Sequence, residues 1–156
     1  MNWRLVSAAA LAMLTAFNGA VTAQEPLVAN PPLRTATLIL TANGHAHRYT
    51  VELAKTQTEQ ARGLMLRKTM ARGHGMLFPM QPPREASFWM EGTYLPLDII
   101  FISPDHSVRR IAANAVPFSK TDIPSGGAAA AVLELNAGEA ARIGLHTGDA
   151  VTYALD

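Results

Sequence analysis

TATLILTANGHAHRYTVELA, residues 35–54, decides the fold class of this 156-residue chain. Apolar and polar residues alternate on both sides of Asn43-Gly44, as they do in strands that bury one face. Asn-Gly between two such runs predicts a tight hairpin, because both residues accept the positive φ angles of a type I′ turn. We therefore expect the regular structure of the chain to begin as antiparallel β-sheet.

Short apolar runs separated by Pro and Gly continue this pattern downstream. The strands that they predict cover residues 75–80, 86–90, 98–103, 108–116, 131–138 and 149–155, and a loop is expected over residues 118–130. Two short helices are predicted, one from Thr56 or Thr58 to Gly63 and one over residues 139–145. The sequence thus predicts a mainly β domain over residues 35–156, a single compact β-barrel or sandwich-like unit with one or two short helices.

The N-terminal residues have the pattern of a secretory signal peptide. Asn2-Trp3-Arg4 precedes an apolar run from Leu5 to Phe17, and Val21-Thr22-Ala23 offers a cleavage site. We expect residues 1–23 to be removed, residues 24–34 to form a flexible lead-in, and the protein to be periplasmic or secreted. The apolar run is shorter than a spanning helix requires, so no membrane span is expected after cleavage.

The composition excludes several classes of function. The chain has 13 basic and 12 acidic side chains, and loss of Arg4 with the signal peptide leaves a balanced charge. A neutral exported domain does not favour nucleic acid, whose binding depends on clustered Lys and Arg. The chain has no cysteine, which rules out thiol nucleophiles, thiolate metal sites and disulfides.

The stretch FWMEGTYLPLDIIF, residues 88–101, contains the candidate site. Gly92 and Pro96 interrupt an apolar run, and Asp98 stands between two aliphatic residues. We expect residues 92–96 to form a loop beside a groove, with Asp98 accepting N–H groups from that loop or pairing with Arg62. Trp89 and Met90 are consecutive in a predicted strand, so one should face the core and the other should face outward. The candidate groove comprises Arg62, Trp89, Met90, Glu91, Thr93, Asp98 and Glu134.

The carboxylates of this groove have two interpretations. Asp98 and Glu134 can pair with Arg62 and Arg67 as structural groups, since a buried carboxylate is tolerated when it is paired. Alternatively, two of Glu91, Asp98 and Glu134 face one cleft as the acid pair of a hydrolase. No serine-hydrolase or phosphate-binding motif is present.

His45 and His47 share one face of the second predicted strand, as two metal ligands would. The other three histidines fall in predicted loops without acidic partners at a motif spacing. No metal site and no cofactor is therefore predicted.

The order of several motifs resembles that of the DUF192 family, also called UPF0127. The motifs are RGLMLR (62–67), GMLFPM (75–80), SFWMEGTYLPLDIIFI (87–102), VLELNAG (132–138) and GLHTGD (144–149). The resemblance implies a compact, mainly β fold and supplies no biochemical activity. Glu91-Gly92 departs from the basic residue and Asn that the family pattern usually has there. The Glu reverses a charge, which makes an anionic ligand less favoured.

Three classes of function remain open on the sequence. The first is a binding or accessory module for a carbohydrate or other cell-envelope component, with a saccharide as ligand or an envelope protein as partner. The second is a structural or protein-interaction domain. The third is a carboxylate-dependent hydrolase, although no catalytic motif is recognisable and a non-enzymatic role is favoured.

Overall fold

The computed structural model describes residues 26–155. The predicted signal peptide, residues 1–23, and the first two residues of the predicted lead-in lie outside this range. Residues 26–34 form no helix or strand, and Asn30 is buried among them. The Asn30 side-chain amide donates to the carbonyls of Glu59 (2.8 Å) and Gly63 (3.0 Å), which attaches this segment to the first helix.

Seven strands form one sheet, and the prediction of a mainly β fold is confirmed. The elements are β1 (Thr35–Ala42), β2 (His45–Leu53), α1 (Gln57–Arg62), β3 (His74–Phe88), β4 (Leu97–Ile102), β5 (Val108–Ala115), β6 (Ile123–Asn136), α2 (Glu139–Ile143) and β7 (Ala150–Tyr153). The strand order is β5-β4-β6-β3-β2-β1-β7. The sheet curls into a half-barrel, and its two ends meet at a bridge between Ser107 and Ala150.

Local sequence explains the first three elements. Asn43 and Gly44 both have positive φ angles, 51° and 75°, and they join β1 to β2 as the Asn-Gly signal predicts. β2 pairs with β3 in parallel, which requires a crossover connection, and α1 lies in that connection. A capping box between Thr56 and Glu59 begins α1.

Strands β3, β4 and β6 are buried on both faces over much of their length. All six residues of β4 are buried. Ile100 and Ile102 belong to a cluster with members from all seven strands, so it fills the space that the curled sheet encloses; we call it the barrel cluster. Ile99 and Phe101 belong to a second cluster on the opposite face, the outer cluster. Burial on both faces explains why this strand is continuously apolar apart from Asp98.

Asp98 is a structural strut, but its predicted partners were wrong. Its carboxylate accepts the backbone N–H of Asn114 and that of Ala140, both at 2.9 Å. Asp98 pairs with Leu135 across the sheet, so its side chain faces the barrel cluster, where α2 packs, and not Arg62. The N-cap of α2 is Gly138, which has no side chain to cap the helix. Asp98 supplies the missing acceptor to the second residue of α2.

Two predicted boundaries were also wrong. β3 continues through Pro82-Pro83 as one element, and β6 begins at Ile123, inside the predicted loop 118–130. Phe88 and Ser87 pair with Ile123 and Pro124. Pro and Gly interrupt the alternation in both segments, and pairing between the two strands outweighs this local signal.

β3 folds back on itself. The rings of Phe78 and Phe88 meet edge to face with centroids 5.0 Å apart, whereas ten residues of straight strand would span roughly 33 Å. The register with β6 shifts between Pro79 and Arg84, which marks the bend. The two arms of β3 therefore face each other and leave a concave surface between them.

Replacing Asp98 by Asn should lower the free energy of unfolding by about 2 kcal/mol, because a hydrogen bond to a carboxylate is stronger than one to a neutral amide and the NH2 group of Asn cannot replace the second acceptor oxygen. Urea unfolding measures this loss. Asp122→Asn is the control, since Asp122 is exposed, and it should be neutral. Equal stability of the two variants would contradict the role of Asp98 as a strut.

Candidate functional site

The fold of β3 forms a cavity of about 420 Å³. Its walls are the two arms of β3, the C-terminal half of α1, and the loop after β3, and Glu134 of β6 contributes to its lining. The lining residues are Gln60, Ala61, Arg62, Met65, Phe78, Met80, Arg84, Glu85, Ala86, Ser87, Phe88, Trp89, Thr93 and Glu134. A cavity of this size and mixed lining is typical of a small-molecule site.

Glu134 is the unusual residue of the cavity. It pairs with Met76 and Ile99 across the sheet, so its side chain enters the outer cluster, and it is only 5% exposed. Its Oε2 atom has no hydrogen-bond partner among residues 26–155. Burial raises the pKa of Glu134 from 4.5 to about 8. The carboxyl group is therefore mostly protonated at neutral pH and can both donate and accept a hydrogen bond.

The predicted pairing of Glu134 with an arginine was wrong. Arg67 instead forms a bidentate ion pair with Glu52, in which Nη2 of Arg67 donates to Oε2 of Glu52 at 2.8 Å. This pair lowers the pKa of the Glu52 carboxyl. Arg62 lines the same cavity as Glu134 but forms no ion pair with it.

Trp89 and Met90 face opposite ways, as predicted, although both follow the last residue of β3. Met90 is fully buried in the outer cluster, and its N–H donates to the carbonyl of Ser119 at 2.9 Å. The side chain of Trp89 is 47% exposed and lines the cavity. Trp89 therefore presents an aromatic surface at the edge of the cavity, whereas Met90 packs in the outer cluster.

The loop after β3 contributes Thr93 but not Glu91. Thr93 is buried and lines the cavity. Glu91 lies outside the lining and forms an ion pair with Lys120 at 2.8 Å. Gly92 has a φ of +63°, a region that Gly and Asn enter more readily than other residues. The replacement of the family's Asn by Gly92 therefore preserves the backbone of this loop.

The three predicted carboxylates do not form a catalytic pair. Asp98 pairs with Leu135 across the sheet, and Glu134 pairs with Ile99, so the two carboxyl groups lie on opposite faces. Glu91 is neutralised at the surface by Lys120. Of the seven predicted residues, the structure brings Arg62, Trp89, Thr93 and Glu134 together at the cavity, and Met90, Glu91 and Asp98 lie elsewhere.

Sequence reasoning missed Arg84 and Glu85, which also line the cavity. Both belong to the second arm of β3, and only the fold of that strand brings them near α1. The short segment after Pro82-Pro83 has no motif that would have identified them.

No metal site or membrane span is found in the described part of the chain. His45, His47 and the remaining described His, Asp and Glu side chains include no group of three that could hold a metal ion. None of the helices within residues 26–155 has the length and apolar character needed to cross a membrane.

A family model matches residues 38–153, a range that contains every residue lining the cavity. The chain belongs to the DUF192 family. The family is described as "Uncharacterized ACR", so membership gives this DUF192 domain a fold without an activity. A comparison with the curated proteins found no match.

Two crystal structures are similar to this DUF192 domain. One is a protein of unknown function from Novosphingobium aromaticivorans DSM 12444, 44% identical with a TM-score of 0.76, and the match covers 80% of this chain and 91% of that one. The other, from Sinorhizobium meliloti 1021, is described as a "putative transcription regulator"; it is 42% identical with a TM-score of 0.77, and the match covers 80% and 97% of the two chains.

Glu134 should make stability depend on pH in a defined direction. When folding raises the pKa of a carboxyl group, the group contributes its full stabilisation of the native state at any pH below its pKa in the unfolded chain. For Glu134 this contribution declines as pH rises from 4.5 toward about 8. The free energy of unfolding of Glu134→Gln, minus that of the native chain, should therefore increase across this window by on the order of 1 kcal/mol per pH unit.

Urea unfolding of both proteins at pH 5, 6.5 and 8 measures this difference, in which the other titrating groups largely cancel. A difference that is constant with pH would show that Glu134 has the pKa of an ordinary exposed carboxyl group.

Proposed function

We propose that this DUF192 domain is an exported binding module whose cavity at Glu134 holds a saccharide or another cell-envelope component. One observation carries the proposal: a carboxyl group that is 95% buried and has an unpartnered oxygen faces a cavity large enough for a small molecule. A buried polar atom without a partner costs free energy. A ligand that hydrogen-bonds to Glu134 recovers that cost on binding.

The lining of the cavity supports a saccharide. A neutral carboxyl group bonds well to hydroxyl and amide groups, because it offers both a donor and an acceptor. The half-exposed ring of Trp89 offers a flat apolar surface against which a sugar ring can pack. Thr93 and Gln60 add polar groups to the same lining. Polar groups that converge on a cavity with an aromatic edge are the pattern expected for a hydroxyl-rich ligand.

Export is proposed on the sequence of residues 1–23, which has the order of regions found in a signal peptide. The domain would then be periplasmic or secreted and would meet envelope components there. The composition does not favour nucleic acid as a ligand, because loss of Arg4 with residues 1–23 leaves equal numbers of basic and acidic side chains.

A protein-interaction role is the second candidate, and a separate observation favours it. Tyr94 and Phe118 are about half exposed and meet edge to face with centroids 4.9 Å apart, and the neighbouring Val116 is 67% exposed. Exposed aromatic residues of this kind are enriched at protein interfaces. The hydrolase is not proposed, because the carboxylates on which that interpretation rested do not share a cleft.

A thermal-shift screen of the purified chain against envelope oligosaccharides tests the binding module. A saccharide at 100 times its Kd should stabilise the native state by about 2.7 kcal/mol, a readily measured shift. Trp89→Ala should remove the shift, because it deletes the aromatic edge of the cavity. The half-exposed position of Trp89 means that the variant should still fold.

Tyr94→Ala is the matched control, since Tyr94 is equally exposed but does not line the cavity. It should bind as the native chain does. Binding that survives Trp89→Ala and is lost in Tyr94→Ala would place the ligand outside the cavity and contradict the proposal.

A further inference from the structure

The cavity lining holds two arginines, Arg62 and Arg84, and two acidic residues, Glu85 and Glu134, and no ion pair joins them. Arg62 is half-buried and Arg84 is exposed, and both residues line the cavity with Glu134. The side chain of neither arginine forms a hydrogen bond or an ion pair within residues 26–155, where the ion pairs are Arg67–Glu52, Lys120–Glu91 and Arg142–Glu139. Arg67, which is also half-buried, has Glu52 as its carboxylate partner.

Arg62, Arg84 and Glu134 line one cavity without pairing with one another, so a ligand that fits there must bond to both kinds of group. Glu134 and the arginines face the same space, yet no Arg nitrogen lies within 4.0 Å of a Glu134 oxygen. A molecule that satisfies both must hydrogen-bond to a carboxyl group through one part and present an acceptor to guanidinium groups through another. A carboxylate can accept two hydrogen bonds at once from a planar guanidinium group.

We propose that the cavity selects acidic saccharides, with the sugar carboxylate bound by Arg62 and Arg84 and a hydroxyl or acetamido group bound by Glu134. This inference rests on the proposed function, because it assigns the chemical class of the ligand in the same cavity. It replaces the expectation, drawn from Glu91, that an anionic ligand is less favoured. Glu91 is neutralised by Lys120 and lies outside the cavity, so its charge does not act on the ligand.

The charges of the lining residues suit an acidic saccharide. Glu134 is mostly protonated at neutral pH, since burial raises its pKa to about 8. The charged side chains of the lining are then Arg62, Arg84 and Glu85, which leaves a net positive charge. A protonated Glu134 also favours a hydroxyl or amide over an ammonium group, which distinguishes an acidic sugar from an amino acid. Trp89 provides the surface for the sugar ring.

Calorimetric titration of the purified chain at pH 7 with matched neutral and acidic sugars tests the inference. The pairs are cellobiose with cellobiouronic acid, and N-acetylglucosamine with N-acetylmuramic acid; within each pair the acidic member adds a carboxylate. The acidic member of at least one pair should bind about tenfold or more tightly, as charge-assisted hydrogen bonds provide. This preference should weaken with added salt.

Arg62→Gln and Arg84→Gln should each reduce the ratio of the affinity for the acidic sugar to that for the neutral sugar. Arg48→Gln is the matched control, because Arg48 is exposed on β2 and does not line the cavity; it should retain the full preference. If Arg62→Gln and Arg84→Gln both kept the full preference for the acidic sugar, the assignment of the sugar carboxylate to these residues would be overturned.

Two other results separate this inference from the proposed function. Equal binding of the neutral and acidic members of both pairs, abolished by Trp89→Ala, would overturn the preference for acidic sugars and leave the saccharide-binding module intact. Absence of binding for all four sugars at millimolar concentration would overturn both proposals and direct the search to a protein partner at Tyr94 and Phe118.

Discussion

Burial of both faces of the central strands is the constraint on which the structure depends. β3, β4 and β6 lie between the barrel cluster and the outer cluster, so a polar side chain on them has no water to bond to and needs a partner. Asp98 and Glu134 are the acidic residues buried in these strands, on opposite faces. The fold supplies two N–H donors to Asp98 but leaves an oxygen of Glu134 without a partner. One carboxyl group thus joins β4 to β5 and α2, and the other is the group that we propose contacts a ligand.

The cavity at Glu134 exists because β3 is long and bends. Its first arm pairs with β2 and β6 as part of the half-barrel, and its second arm turns back until Phe88 packs on Phe78. The crossover that the parallel pairing of β2 and β3 requires places α1 on the same side, so the end of α1 brings Arg62 to the cavity. Ordinary requirements of sheet topology therefore bring together side chains that are far apart in the sequence.

The sequence was sufficient for features that depend on local chemistry. Asn43-Gly44 predicted the hairpin, and Thr56 or Thr58 followed by Glu59 predicted the start of α1, because turn and cap preferences act over a few residues. It failed where long-range pairing decides, as at Pro82-Pro83 and at the start of β6. It placed Glu134 and Arg62 in one groove but could not tell that they are unpaired, since pairing depends on distances that only the fold defines. Arg84 was missed for the same reason.

The central claim is that Glu134 is a buried, mostly neutral carboxyl group that contacts the ligand directly. Carbon-13 NMR of the Glu side-chain carboxyls, with Glu134→Gln used to assign the resonance, observes this group itself. We expect the Glu134 resonance to titrate near pH 8 without ligand and to shift when a saccharide is added at constant pH. Titration near pH 4.5 with no response to a bound saccharide would contradict the claim.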